Sequence, residues 1–156
     1  MLAVIFHLGN QVFAIDAETV EIVIPALPLS TVPGAPEYIA GRFEYRNQVV
    51  PVVDLGRLVL KRSLNEGLSS RYILVHNPSS QGDETLMGLW AERVTETMEV
   101  DEESFSDGGV HPPEAHYLGR IFTTEDKEII QCVETSDLLP ENVRTMLYNQ
   151  DKTSSQ

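Results

Sequence analysis

His111 and His116, five residues apart, share a Pro-rich loop with Asp107 and Glu114, and these are the side chains of the chain that come nearest to metal-assisted chemistry. A catalytic zinc site needs three protein ligands held in fixed geometry around an open position. A loop rich in Gly and Pro supplies no element to fix them. The run Glu99-Val100-Asp101-Glu102-Glu103 has the charge of a calcium loop but lacks its alternating Asp/Asn pattern and its Gly, so a solvated acidic turn is expected. His7 and His76 fall in strand-like stretches, where a lone His is more often a satisfied side chain than a ligand. Cys132 is the single cysteine and has apolar neighbours in "IIQCVE", which makes it a small buried hydrophobe rather than a nucleophile. There is no Gly-rich phosphate loop between a strand and a helix, no G-x-S-x-G elbow and no paired-Cys zinc spacing. No catalytic residue, metal ligand or cofactor site is therefore expected. Trp90, Phe105 and Phe122 are expected to pack cores or subdomain contacts.

A different pair asks for another kind of chemistry. In "GRFEYRNQVVPVVDLGRL", residues 41–58, Glu44 and Arg46 stand two apart in a strand-like run. A strand places i and i+2 on one face, so the opposite charges should stand side by side on an otherwise apolar surface. One reading is a surface ion pair worth only about 0–1 kcal/mol. The other is recognition, with Arg46 forking hydrogen bonds to a partner's carboxylate or carbonyls.

The elements that must carry these residues are mostly strands. "LAVIFHL" (2–8) and "QVFAI" (11–15) flank Gly9-Asn10, a turn suited to a tight hairpin. "AETVEIV" (17–23) reads as a helical turn running into a strand. Pro25, Pro28, Pro33 and Pro36 then exclude helix and central strand, leaving an extended connection that ends in a short helical turn around residues 37–40, closed by Gly41. Strand 42–46 is expected to turn at Asn47-Gln48 into strand 49–54, since Asn tolerates left-handed backbone. Further strands are read at 71–77, 85–94 and 95–100. Polar loops are read at 78–84 and 101–115, and a hairpin over 117–134 turns at Glu125-Asp126-Lys127. Val143, Met146 and Leu147 fall at helical spacing in 140–148, with Pro140 suited to the first turn. Residues 149–156 read as a disordered polar tail. About nine or ten short strands with little helix indicate a mainly β chain of small barrels or a sandwich. No internal sequence repeat is evident.

The 156 residues suit a single domain over 1–148, possible without disulfide or metal. The 24 Asp and Glu against 11 Lys and Arg give a formal net charge of −13. That disfavours nucleic acid, which needs a basic footprint, and docking on anionic lipid. The apolar start is too short for a membrane span and lacks the features of a secretory signal, so the expected location is the cytoplasm, with no membrane insertion.

The chain resembles the CheW-like family of bacterial chemotaxis coupling proteins. The resemblance rests on "IFHLGNQVFAIDAETVEIV", "VPGAPEYIAG", "FEYRNQVVPVVDL", "SSRYILVHN", "LMGLWAERVTETMEV", "YLGRIF" and "DLLP", from residue 4 to about 147. In the central block Gly41, Arg46, Pro51, Val52, Asp54 and Leu55 match in order and spacing, while Arg42, Glu44, Tyr45 and Asn47 depart from the commoner residues. The resemblance implies two small five-stranded SH3-like β-barrels packed together, intertwined in one domain with short helices and a C-terminal helix. It implies no enzymatic activity. It implies an adaptor that couples a chemoreceptor cytoplasmic tip to the regulatory domain of a CheA-type histidine kinase, recruited to membrane-associated receptor arrays. Val20, Gly41 and Arg46, with Glu44 beside them, are the receptor-groove positions so implied, and no kinase-binding residue is singled out. The Glu-Tyr-Arg variant and "SSRYILV" also resemble adaptors of non-motility, Wsp-type pathways. A cap or competitor that binds only the kinase is the alternative role. A small metal-dependent hydrolase on His111 and His116 and an oligonucleotide-binding barrel are the readings from other classes.

Overall fold

The computed structural model describes residues 1–64, 66–78, 84–109 and 112–148. Its strands are β1 (Leu2–Leu8), β2 (Gln11–Asp16), β3 (Val20–Pro25), β4 (Ile39–Tyr45), β5 (Gln48–Asp54), β6 (Arg71–Pro78), β7 (Glu84–Ala91), β8 (Arg93–Glu99), β9 (Leu118–Thr123) and β10 (Ile129–Val133). One helix, α1, spans Glu141–Tyr148. Three-residue 3-10 turns occupy Ala17–Thr19, Glu102–Ser104 and Thr135–Asp137, and a wider helical turn runs over Gly56–Leu60. Of the expected polar loop over 78–84, Pro78 and Glu84 belong to β6 and β7 and residues 79–83 lie outside the described residues, as does the expected tail over 149–156.

The strands form two five-stranded sheets, ordered β8-β1-β2-β10-β9 and β3-β6-β7-β5-β4. Each is closed by the chain leaving its first edge strand. Ser30 exchanges two backbone hydrogen bonds with Arg42 of β4, at 2.9 and 2.8 Å. Ser106 does the same with Ile121 of β9, at 2.9 Å both ways. The second sheet runs in chain order as an edge strand, the Ser30 crossing, hairpin β4–β5 and hairpin β6–β7, with β5 parallel to β7. The first sheet repeats that path from β8 through Ser106 and hairpin β9–β10. It then takes its last hairpin, β1–β2, from the start of the chain, with β10 parallel to β2. One barrel is thus a cyclic permutation of the other, a repeat of path without a repeat of sequence.

Unbroken apolar runs follow from burial on both strand faces. Ala3 and Ile5 of β1, Val12 and Ala14 of β2, and Ile130 and Cys132 of β10 pack within the first sheet. Val50, Val52, Tyr72 and Leu74 do so within the second. Their alternating neighbours Val4, Phe6, Phe13, Ile15, Val53, Leu55, Ile73 and Val75 meet in a third core shared by both sheets, which Tyr117, Leu138 and Val143 of α1 complete. Phe105 packs edge-on against buried Phe122, and Trp90 lies between two of the cores.

Three expectations need correction. Residues 37–40 form no helical turn closed by Gly41. β4 begins at Ile39, and Gly41 lies inside it just after a register shift. The apolar run 85–94 is not one strand. It breaks at Glu92, where the chain leaves the second sheet for the first. The turn after β4 is Arg46-Asn47 rather than Asn47-Gln48, with φ of 48° and 66°. Two successive positive φ values match a tight type I′ hairpin turn, whose twist suits the flanking strands.

Candidate interaction site

The turn correction removes the geometry expected of Glu44 and Arg46. Arg46 has left the strand, so the two charges do not share a strand face, and no ion pair joins them among the described residues. Glu44 stays on β4 opposite exposed Val49. Arg46 instead lies over the Tyr45 ring, its guanidinium carbon 5.2 Å from the centroid. A cation on an aromatic face is held in place while its donors stay open.

Gly41 belongs to the same hairpin for a steric reason. Its φ is +155°, and a Cβ there would sit 2.6 Å from the Ser30 carbonyl oxygen and 2.7 Å from Leu29 Cβ. Only glycine lets the crossing segment reach β4 and close the barrel. Val20 sits elsewhere: it opens β3, pairs with Val75 of β6 and packs half-buried on the shared core. Gly41, Glu44 and Arg46 thus share one hairpin, while Val20 lies on β3, the strand whose continuation closes the barrel on β4 at Ser30.

The rest of the central motif is structural. Val53 and Leu55 are fully buried, and Asp54, 4% exposed, accepts the Arg57 N–H at 3.1 Å to hold the start of the Gly56–Leu60 turn. Burial pushes the Asp54 carboxyl up, against the amide and guanidinium of Arg57, which pull it down.

Beside the hairpin lies a cavity of about 520 Å³ between its Arg42, Gln48, Val49 and Pro51 and the Leu147 and Tyr148 of α1. Val49 is 56% exposed there. Like Arg46, Arg42 has no carboxylate within 4.0 Å among the described residues, although Arg57 has two and Arg62 and Arg120 have one each. Sequence reasoning noticed Arg42 only as a departure and did not foresee that α1 would stand opposite it. The pairing of helix and hairpin depends on long-range packing, which no local pattern encodes.

The other chemistry-bearing residues are dispersed. His116 is exposed, His111 lies outside the described residues, and among the described residues no group of three His, Cys, Asp or Glu could hold a metal. His7 contacts Arg93 and Thr95, each at 3.4 Å, and burial and the Arg93 charge lower its pKa. His76 meets Glu21 at 3.2 Å. Burial pushes the Cys132 thiol up to about 11, which keeps it a poor nucleophile. Among the described residues, no helix is long and apolar enough to cross a membrane.

The described residues thus form two closed barrels, with an exposed cationic hairpin beside a half-apolar groove. The family model for the CheW-like domain matches residues 2–143, and the chain belongs to that family. Among solved structures it is similar to the scaffolding protein TtCheW from Thermoanaerobacter tengcongensis, with 26% identity and a TM-score of 0.79 over 94% of this chain and 92% of that one. No curated protein matches it. The chain is a non-catalytic CheW-like scaffold of chemotaxis-type signal transduction.

Proposed function

We propose that this scaffold couples the cytoplasmic tip of a chemoreceptor to the regulatory domain of a CheA-type histidine kinase, working in the cytoplasm at membrane-associated receptor arrays. Its mechanism is positioning. Binding energy at two surfaces holds the kinase against the receptor, and a receptor change reaches the kinase as a coupling free energy. The observation that carries the receptor surface is Arg46, raised on a left-handed turn, steadied by Tyr45 and unneutralised in a chain of net charge −13. A coiled-coil tip presents an apolar stripe flanked by charges. Arg46 and Arg42 would meet its carboxylates, and Val49 and Leu147 its apolar stripe, as in other helix-in-groove contacts. Gly41 supports this surface by closing the barrel behind it. Glu44 would orient a basic group on the tip, and Val20 would act from the neighbouring edge strand. Placement in a Wsp-type pathway rests on the Glu44-Tyr45-Arg46 sequence and the "SSRYILV" segment.

Calorimetric titration with a receptor-tip fragment and a kinase regulatory fragment tests the reading. Saturable binding to both, with Arg46→Ala weakening only the receptor more than tenfold, about 1.4 kcal/mol, is expected. Binding to the kinase alone would make the chain a cap or competitor instead.

A further inference from the structure

Leu68 is 99% exposed, the most exposed of the large apolar side chains described. It stands on the loop before β6, next to a cavity of about 470 Å³ on the second sheet lined by Leu27, Pro28, Leu29, Tyr72 and Trp90. A lone exposed leucine is ordinary. A protruding leucine beside a partly apolar hollow with room for a leucine is less so, because one surface then carries both a knob and a hole.

The charges around them are also matched. Glu66 lines the hollow. Arg71 travels with the knob: its Nη1 donates to the Leu68 carbonyl at 2.7 Å and to the Ser70 carbonyl at 2.9 Å. Neither Glu66 nor Arg71 has an ion-pair partner among the described residues. The Trp90 indole nitrogen, on the wall of the hollow, is buried without a hydrogen-bond partner. The knob thus carries a cation and the hole an anion.

From this self-complementarity we propose that the patch binds a second copy of the same chain about a two-fold axis. Each Leu68 enters the other copy's hollow, and each Arg71 meets the other copy's Glu66. A two-fold contact makes every such pair twice, so a small patch yields two anchors and two ion pairs. The contact is at the small, reversible end of protein interfaces. Apart from Ala40 at the start of β4, it lies on different residues from the Arg46 hairpin, and it does not depend on the proposed receptor binding.

Sedimentation velocity of the full chain from about 5 to about 300 µM tests it, in the concentration range of weak, transient contacts. The mass should rise toward twice that of the monomer and no further. Leu68→Asp should keep the chain monomeric with an unchanged thermal melt, since the side chain touches solvent only. Glu66→Arg and Arg71→Glu should each weaken self-association at least fivefold. An equimolar mixture of those two variants should dimerise again, because in the mixed pair both cross-chain contacts regain opposite charges. That recovery would also show that each variant is folded. A monomer at every concentration, a dimer indifferent to Leu68→Asp, no recovery in the mixture, or growth beyond a dimer would each overturn the two-fold assignment.

Discussion

The Glu92 carboxylate accepts the Gly9 N–H at 3.2 Å, joining the turn of the first hairpin to the point where the chain passes from one sheet to the other. Arg62, from the loop after β5, lies 3.7 Å from the same carboxylate oxygen, and its guanidinium fills the space where a Gly9 Cβ would be. The Glu92 N–H in turn donates to the His7 carbonyl at 3.2 Å. Three segments distant in sequence are clipped together at one half-buried carboxylate. Glu92→Ala should destabilise the chain by about 1.5–3 kcal/mol, the range for a lost hydrogen bond to a charged group. Glu92→Gln, which keeps an acceptor, should lose about half as much. Arg62→Ala should lose least, because an exposed ion pair contributes little. Urea unfolding of the three variants checks the order, and an equal loss in all three would mean that the ion pair rather than the amide contact holds the clip.

Gly41 and Arg46 should separate cleanly by experiment. Gly41→Ala forces a Cβ against the Ser30 carbonyl at a backbone angle that side chains rarely adopt. It should cost about 2–4 kcal/mol and loosen the crossing that closes the barrel. Arg46→Ala removes an exposed side chain and one exposed cation–π contact, worth about 0.5–1 kcal/mol. Thermal melts should therefore place Gly41→Ala well below Arg46→Ala. Any binding defect in the glycine variant would then be secondary to folding, whereas that of the arginine variant would belong to the surface.

The same two residues show where local sequence suffices. The strands were legible as apolar runs, and the structure gives the reason the runs are unbroken: stretches such as Ala3–Phe6 and Ile73–Val75 face a core on each side. The hairpin of Arg46 was legible as a hairpin, but its register was not. Asn47 serves the left-handed position in either register, and nothing local shows that Arg46 shares it. The break at Glu92 was hidden, because it is set by contacts with Gly9 and Arg62 more than by a turn residue. The Gly56–Leu60 turn was missed for want of helical length, and its start is held by buried Asp54. The groove opposite α1 could not be read at all, since its walls are about 100 residues apart in the chain.

Cys132 gives a prediction in pH. Burial raises its thiol from 9.0 to about 11 in the folded chain. The protonated thiol is therefore favoured by folding, and its stabilising effect is complete below pH 9. As pH rises from about 9 through about 11, the unfolded chain releases the proton first, and stability should fall. Denaturant unfolding of wild type and Cys132→Ala at pH 8 and pH 10 checks this. The wild type should lose more than the variant over that interval. A thiol reagent at pH 8 should label the folded chain far more slowly than the unfolded one.

The N–H and the carbonyl of Leu86 are both held by side chains on the edge of β7 where the sheet offers no strand. The parallel pairing of β5 with β7 begins only at Val52 and Gly88, which leaves the outer edge of β7 open at Leu86. Gln48 Oε1 accepts the Leu86 N–H at 3.3 Å, and the Tyr148 hydroxyl donates to the Leu86 carbonyl at 3.1 Å. An edge strand with unmet backbone groups invites foreign pairing, and these two side chains occupy the groups instead. They also come from the two walls of the candidate groove, the hairpin and α1. Tyr148→Phe keeps the ring and removes the donor, so it should cost about 1 kcal/mol. The loss should be local: amide hydrogen exchange should quicken in α1 and around Leu86, and stay unchanged in β1 and β2. If the groove receives a receptor helix, the same variant should weaken that binding while leaving kinase binding intact. Faster exchange without any change in receptor affinity would place the receptor contact elsewhere on the hairpin, at Arg46 rather than between hairpin and helix.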